Sequence, residues 1–148
     1  MAILAENKRA RFDYEILETF EAGLVLSGFE AKSAKHNRID LTDSFVRVNS
    51  ENEAVLVNAK IYPFQPENAP PTHKTDRSRK ILLKKKEIKT LASRLSEKKL
   101  TAVPLKVYTS GNRVKALIGL ARSKRAFEKR ELLRKKAIDR EVERTLKK

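Results

Sequence analysis

Val103-Pro104-Leu105-Lys106-Val107-Tyr108-Thr109-Ser110-Gly111-Asn112-Arg113-Val114-Lys115-Ala116-Leu117-Ile118-Gly119-Leu120 is the stretch that decides the fold class. Val103, Leu105 and Val107 alternate with Pro104 and Lys106, and Val114, Ala116, Ile118 and Leu120 alternate on the way back. A period of two places one side-chain set on each face of a strand, and Ser110-Gly111-Asn112 supplies the turn. The pattern predicts an antiparallel hairpin. Pro104 lacks an amide donor, so its strand is expected to start there or to lie at an edge.

Upstream the same period recurs. In residues 12–26, FDYEILETFEAGLVL, Tyr14, Ile16 and Phe20 interleave with Asp13, Glu15 and Thr19, with a break at Leu17-Glu18. Gly23 is read as a bulge or tight turn into Leu24-Val25-Leu26. Phe45–Val48 and Ala54–Val57 flank the polar turn 49–53, which suggests a second hairpin. Helical signals are fewer. Ser27 with Glu30 three residues on is a capping-box pattern for a helix over Phe29–Lys35, and Asn37 suits a left-handed exit. Residues 80–98 read as a helix, with Leu83, Glu87, Ile88, Leu91 and Leu95 on a narrow side and a lysine-rich outer face. From Pro63 to Arg79 a loop carries four of the five prolines, and a loop of that length is usually functional or mobile. About six strands and two short helices are expected. Many short hairpin-linked strands predict a mainly β fold: a small antiparallel barrel of the oligonucleotide-binding type.

Charge separates the two ends of the chain. The 148 residues hold 34 Lys or Arg against 19 Asp or Glu, net +15, yet residues 1–73 are net −3. Residues 74–99 are net +8, residues 100–121 net +3 and residues 122–148 net +7. A concentrated positive field speeds encounter with polyphosphates and makes binding salt-sensitive, which points to nucleic acid. The last stretch, Arg122–Lys148, has twelve basic and five acidic residues and neither Gly nor Pro. Phe127, Leu132, Ile138, Val142 and Leu146 fall within an arc of roughly 140° on a helical period. Such a tail is either a helix awaiting a polyanion or a disordered segment that becomes one. The reading is a barrel over residues 1–122 and a tail over 123–148, with Ser123 as a candidate N-cap.

Several chemistries find no support. There is no cysteine, hence no disulfide, thiolate metal site or Cys nucleophile. The first 20 residues lack a signal-peptide core, and no apolar run approaches the ~20 residues of a membrane helix, so a cytosolic chain is expected. His36 and His73 stand in different loops without metal-ligand spacing. The four glycines form no phosphate loop. Asp13, Glu15, Glu18 and Glu21 could pair as acid and base, but the polar face of a strand accounts for them better. No cofactor, metal or catalytic site is expected. The binding features are the basic lead-in 7–11, Lys74, Arg77, Arg79 and Lys80 around the loop, and Lys84, Lys85, Lys86 and Lys89 on a helix face. Tyr14, Phe20, Phe29, Tyr62, Phe64, Tyr108 and Phe127 offer rings for base stacking, and most of them suit the core as well.

Taken together, NKRA at 7–10, DYEILETFEAG at 13–23, GFEAKS at 28–33, LTDSF at 41–45, RSRKILL at 77–83, KEI at 86–88, IGLARSK at 118–124 and EKRE at 128–131 resemble the SmpB (small protein B) family. The resemblance spans almost the whole chain. It implies an oligonucleotide-binding barrel that grips the tRNA-like domain of transfer-messenger RNA (tmRNA), and an adaptor role in ribosome rescue without catalysis. The implied partners are tmRNA, the ribosome with its rRNA and, indirectly through alanyl-tmRNA, elongation factor Tu with GTP; no membrane is implied, and a monomer is expected. By motif position the resemblance implies a tmRNA-facing set of Asn7, Lys8, Arg9, Glu21, Arg77, Arg79, Lys80, Arg122, Lys124 and Arg125. It implies a decoding-centre set of Phe127, Glu128, Lys129, Arg130 and Leu146, with the tail entering the empty mRNA channel. Glu21 opposes RNA electrostatically, so its part would be to accept hydrogen bonds and specify. The chain departs from the family pattern at Ala31, Asn37, Lys74-Thr75, Ser123, Phe127 and Glu128. The alternative reading is a general ribosomal or single-strand RNA-binding protein of the same fold.

Overall fold

The computed structural model describes residues 2–63, 74–97 and 99–123, together with Arg134 and Ile138. In chain order the elements are β1 (Ile3–Glu6), α1 (Lys8–Asp13), β2 (Tyr14–Leu24), α2 (Gly28–Lys35), β3 (Ile39–Asp40), β4 (Phe45–Val48), β5 (Ala54–Val57), β6 (Lys60–Ile61), β7 (Arg79–Leu82), α3 (Lys85–Leu95), β8 (Leu100–Ser110) and β9 (Arg113–Ser123). All pairings are antiparallel. They run β8–β4–β5–β7–β2–β9, and β9 pairs again with β8, so the sheet closes on itself. Closure removes the exposed edges that an open sheet of this size would carry. β1 lies beside β8 outside this circuit, and β3 and β6 form a separate two-stranded sheet.

The hairpin of the opening stretch is β8–β9, with Ser110 opposite Arg113 and Gly111 at φ 60° in the turn. Its alternation changes phase midway. The register shifts between Pro104 and Lys106. One extra residue moves every later side chain to the other face. Val107 therefore joins Ala116, Ile118 and Leu120 in the main core, with Leu56 and Ile81. Val103 and Leu105, expected on the same face as Val107, instead pack with Ala10 and Ala121 in a second cluster outside the sheet. Pro104 neither starts the strand nor lies on a free edge. It sits mid-strand and buried, between the part of β8 paired with β4 at Ala102 and the part paired with β1 from Lys106 to Tyr108. A residue without an amide donor fits the gap between those two ladders.

β2 follows the expected alternation, and its register shift between Ile16 and Glu18 coincides with the break in the sequence pattern. Gly23 makes no turn, because β2 continues through it to Leu24. α2 carries the full capping box: Ser27 Oγ accepts from the Glu30 amide at 3.2 Å and Glu30 Oε1 accepts from the Ser27 amide at 3.1 Å. Asn37 takes the left-handed conformation at φ 61°. β4 and β5 form the second hairpin.

Other elements differ from the sequence reading. The helix expected over 80–98 begins only at Lys85, because Arg79–Leu82 is a strand in which Arg79 and Ile81 are buried while Lys80 and Leu82 face out. The lead-in at 7–11 belongs to α1, capped by Asn7 Oδ1 accepting from the Ala10 amide at 3.1 Å. β3 and β6, of two residues each, are too short to show a period, and Ile3-Leu4-Ala5-Glu6 of β1 does not alternate apolar with polar. Ser123 ends β9 opposite Tyr14, and the start of the helix it was expected to cap lies outside the described residues. Arg134 and Ile138 are helical and exposed. The expectations placed on Phe64, His73, Lys124, Arg125, Phe127, Glu128, Lys129, Arg130, Leu132, Val142 and Leu146 lie outside the described residues.

Candidate nucleic-acid interface

Four strands set one row of side chains across the outer face of the closed sheet. Leu82 of β7 is registered with Gly23 of β2, Gly23 with Lys115 of β9, and Lys115 with Tyr108 of β8. Registered partners point to the same face, and diagonal neighbours lie within reach of long side chains. In the adjacent row Glu21 is registered with Leu117, and Leu117 with Lys106. Lys115 Nζ meets Glu21 Oε1 at 2.8 Å, and Lys106 Nζ stands 5.5 Å from the centre of the Tyr108 ring. The Glu21 carboxyl is held below its usual range, first by the hydrogen bond from Lys115 and then by one from Tyr108. Burial, then the hydrogen bond to Glu21, pushes the Tyr108 hydroxyl up. Glu21 is therefore an ionised acceptor held in place from two strands.

Gly23, with no side chain, leaves an open groove of about 750 Å³ between the top of β2 and the start of α3. Leu82, more than half exposed, forms an apolar wall, while Lys84, Arg113 and Lys115 line the groove with positive charge around Glu21. Ala31, one of the departures from the family pattern, also lines it. The arrangement offers phosphates cations, a base edge one fixed acceptor and a base face an apolar surface, the three elements of RNA readout. Leu82, Arg113 and Lys115 were absent from the sequence-derived set. The signal for Lys115 was present, as a cation between the buried positions Val114 and Ala116, but nothing local links it to Glu21.

The sequence-derived set divides. Glu21 is in the groove. Lys8 and Arg9 are exposed on α1, where Arg9 pairs with Asp13 at 3.1 Å. Lys80 is exposed and pairs with Glu53 at 2.9 Å, and Arg122 is exposed and pairs with Glu15. Asn7 is buried: its Nδ2 donates to the carbonyls of Leu41 at 3.3 Å and Pro104 at 3.0 Å. The carboxamide is thus committed to seating α1, and the cations that follow it are what α1 presents.

Arg79 is likewise not on the surface. Its guanidinium is fully buried and donates to Glu30 Oε2 at 2.8 Å and to the carbonyls of Ala59 at 2.6 Å, Arg77 at 3.0 Å and Thr75 at 2.9 Å. Arg77 closes over the same carboxylate, donating to Glu30 Oε2 at 3.0 Å and also to Oε1. Burial opposes ionisation of Glu30, but hydrogen bonds from Arg77, the Ser27 amide and Arg79 overcome it and bring the carboxyl down to about 2. This cluster pins residues 75–79 onto α2 and so places β7 and its outward-facing Lys80 and Leu82. A buried charge set of this kind persists only when every member is partnered.

Comparison with known proteins agrees with this architecture. The family model described as SmpB protein matches residues 4–148. An SsrA-binding protein of Thermosynechococcus vestitus is 46% identical over 145 residues, covering 98% of this chain and 95% of the relative. One of Shouchella clausii is 48% identical over 145 residues, covering 98% of this chain and 92% of the relative. A solved chain from "tmRNA-SmpB: a journey to the center of the bacterial ribosome" is 44% identical and superposes with a TM-score of 0.69, covering 82% of this chain and 85% of that one. A match of this extent and identity places the chain in the SmpB family.

Proposed function

We propose that this protein binds the tRNA-like domain of tmRNA and delivers it to stalled ribosomes for trans-translation, acting as an adaptor without catalysis of its own. The observation that carries the reading is the outer-face groove, where one held carboxylate stands among cations beside an apolar wall. A surface that only attracted polyanions would gain nothing from Glu21. A surface that discriminates among RNAs needs such an acceptor. The relatives' names and the solved tmRNA-SmpB structure support the same partner. In this reading residues 1–122 grip the RNA and stand in for the anticodon arm that tmRNA lacks. The segment 123–148 enters the vacant mRNA channel in the small subunit, with Phe127, Glu128, Lys129, Arg130 and Leu146 near the decoding centre. Elongation factor Tu with GTP joins through the alanylated RNA, and the site of action is the cytoplasm.

Equilibrium binding to a tmRNA tRNA-like domain, competed by an ordinary tRNA and by single-stranded RNA across a salt series, tests the reading. A preference for the tRNA-like domain that persists as salt rises is expected. Glu21→Gln should cut that preference by roughly tenfold, and because it releases Lys115 from its ion pair the salt slope should not become shallower. Equal affinities that fall together with log salt would reduce the protein to a nonspecific polycation and overturn the proposal.

A further inference from the structure

Tyr108 brings an aromatic ring to the outer face, but only 5% of the residue is exposed, so the ring is no platform for a base. What surrounds it is specific. Lys106 Nζ stands 5.5 Å from the ring centre. Its registered neighbours are Lys115 of β9 on one side and Ile3 of β1 on the other. β1 is fastened beside it: the Ala2 amide donates to Thr109 Oγ1 at 3.1 Å, and the Thr109 amide donates to the Ala2 carbonyl at 2.9 Å. The strand outside the closed circuit therefore packs at the flank of this one side chain. The phenolic hydroxyl points the other way and donates across β9 to Glu21. Burial of a tyrosine ring with its hydroxyl on a partner is ordinary core chemistry. Here the partner is a carboxylate whose side chain is 55% exposed in the groove.

We infer that Tyr108 is a positioning residue for RNA selection: its hydroxyl, seated by β1 and Lys106, fixes the direction in which Glu21 meets a donor on the RNA. The inference rests on the RNA-binding reading above. An exposed glutamate samples several rotamers, and an acceptor that must meet a base or sugar donor loses affinity to that freedom. Lys115 restrains Glu21 at Oε1, but a lysine is a flexible four-carbon stem ending in a point charge and sets little direction. Tyr108 has two side-chain torsions, and its surroundings hold both, so its hydroxyl is a fixed point. Lys115 supplies attraction and Tyr108 supplies aim.

The test is a double-mutant cycle in the full chain, with Tyr108→Phe, Glu21→Ala and the two combined. Phenylalanine keeps the ring and its packing and removes only the hydroxyl, and a thermal melt of each variant checks the fold. The preference for a tRNA-like domain transcript over ordinary tRNA is measured at fixed salt. Tyr108→Phe should cut that preference by roughly fivefold, the worth of one net hydrogen bond, and leave affinity for ordinary tRNA unchanged. In the Glu21→Ala background the same change should cost nothing further. The Glu21 side-chain carboxyl resonance gives a second readout, and without the hydroxyl its titration midpoint should rise. An unchanged preference in Tyr108→Phe, an equal loss in the Glu21→Ala background, or an unmoved midpoint overturns the positioning role. A wild type that binds both RNAs equally, with the midpoint still raised in Tyr108→Phe, upholds the positioning of Glu21 and overturns the functional reading instead.

Discussion

At Glu30 a single carboxylate joins three levels of the structure. It caps α2 through the Ser27 amide and holds Arg77 and the buried Arg79, which lie 47 and 49 positions later in the chain. The capping role was readable from Ser27 and Glu30 three residues apart. The pairing with Arg79 was not, since nothing local distinguishes a buried arginine from one facing RNA. Glu30→Gln leaves Arg79 buried without its anion and should cost about 3–5 kcal/mol in denaturant unfolding. The pH dependence has a definite sign. The folded-state carboxyl is lowered from 4.5 to about 2, so its stabilising contribution is fully present above pH 4.5 and disappears as pH falls towards 2. Wild-type stability should drop through that window by on the order of 3 kcal/mol more than that of the glutamine variant. Parallel curves would show that Glu30 is not held as described.

Among the elements, the β8–β9–β2 layer shows how closely strand and helix are fitted. A Cβ at Gly119 would lie 3.0 Å from Leu105 Cδ1 and 3.3 Å from Ile16 Cγ2. Both neighbours belong to the cluster that α1 covers through Ala10. Gly119→Val should destabilise the protein by about 1–3 kcal/mol through overpacking at this junction. An unchanged urea midpoint would mean that Leu105 and Ile16 yield freely. The hairpins, the capping box and the break in β2 were legible because each is set by neighbours within a few residues. The start of β7 was misread as helix because Lys80-Ile81-Leu82-Leu83 satisfies either period over so short a run. Pairing of β7 with β2 and β5, with Ile81 buried in the core and Arg79 against Glu30, decides for the strand.

For the whole molecule, the proposed function assigns selective binding to residues 1–122 and ribosomal engagement to the basic segment that follows. Under the proposed function, removing residues 127–148 should leave affinity for the tRNA-like domain within a few-fold of wild type and abolish peptide tagging on stalled ribosomes. A large loss of RNA affinity in that truncation would show that the two parts do not act separately. No described helix is long and apolar enough to cross a membrane.

By itself the sequence determined the strand-rich class, the two hairpins, the capped α2 and the excess of positive charge in the second half, because these depend on local periodicity and composition. It also carried the motifs that resemble one family. The tertiary structure alone decided which polar residues meet on the outer face and which are buried. Glu21, Lys115 and Tyr108 converge across three strands, whereas Asn7 and Arg79, equally polar in the sequence, are drawn inward by distant carbonyls and by Glu30. The physical reason is that a buried polar group is stable only with every partner in place, and those partners are brought together only when the sheet closes.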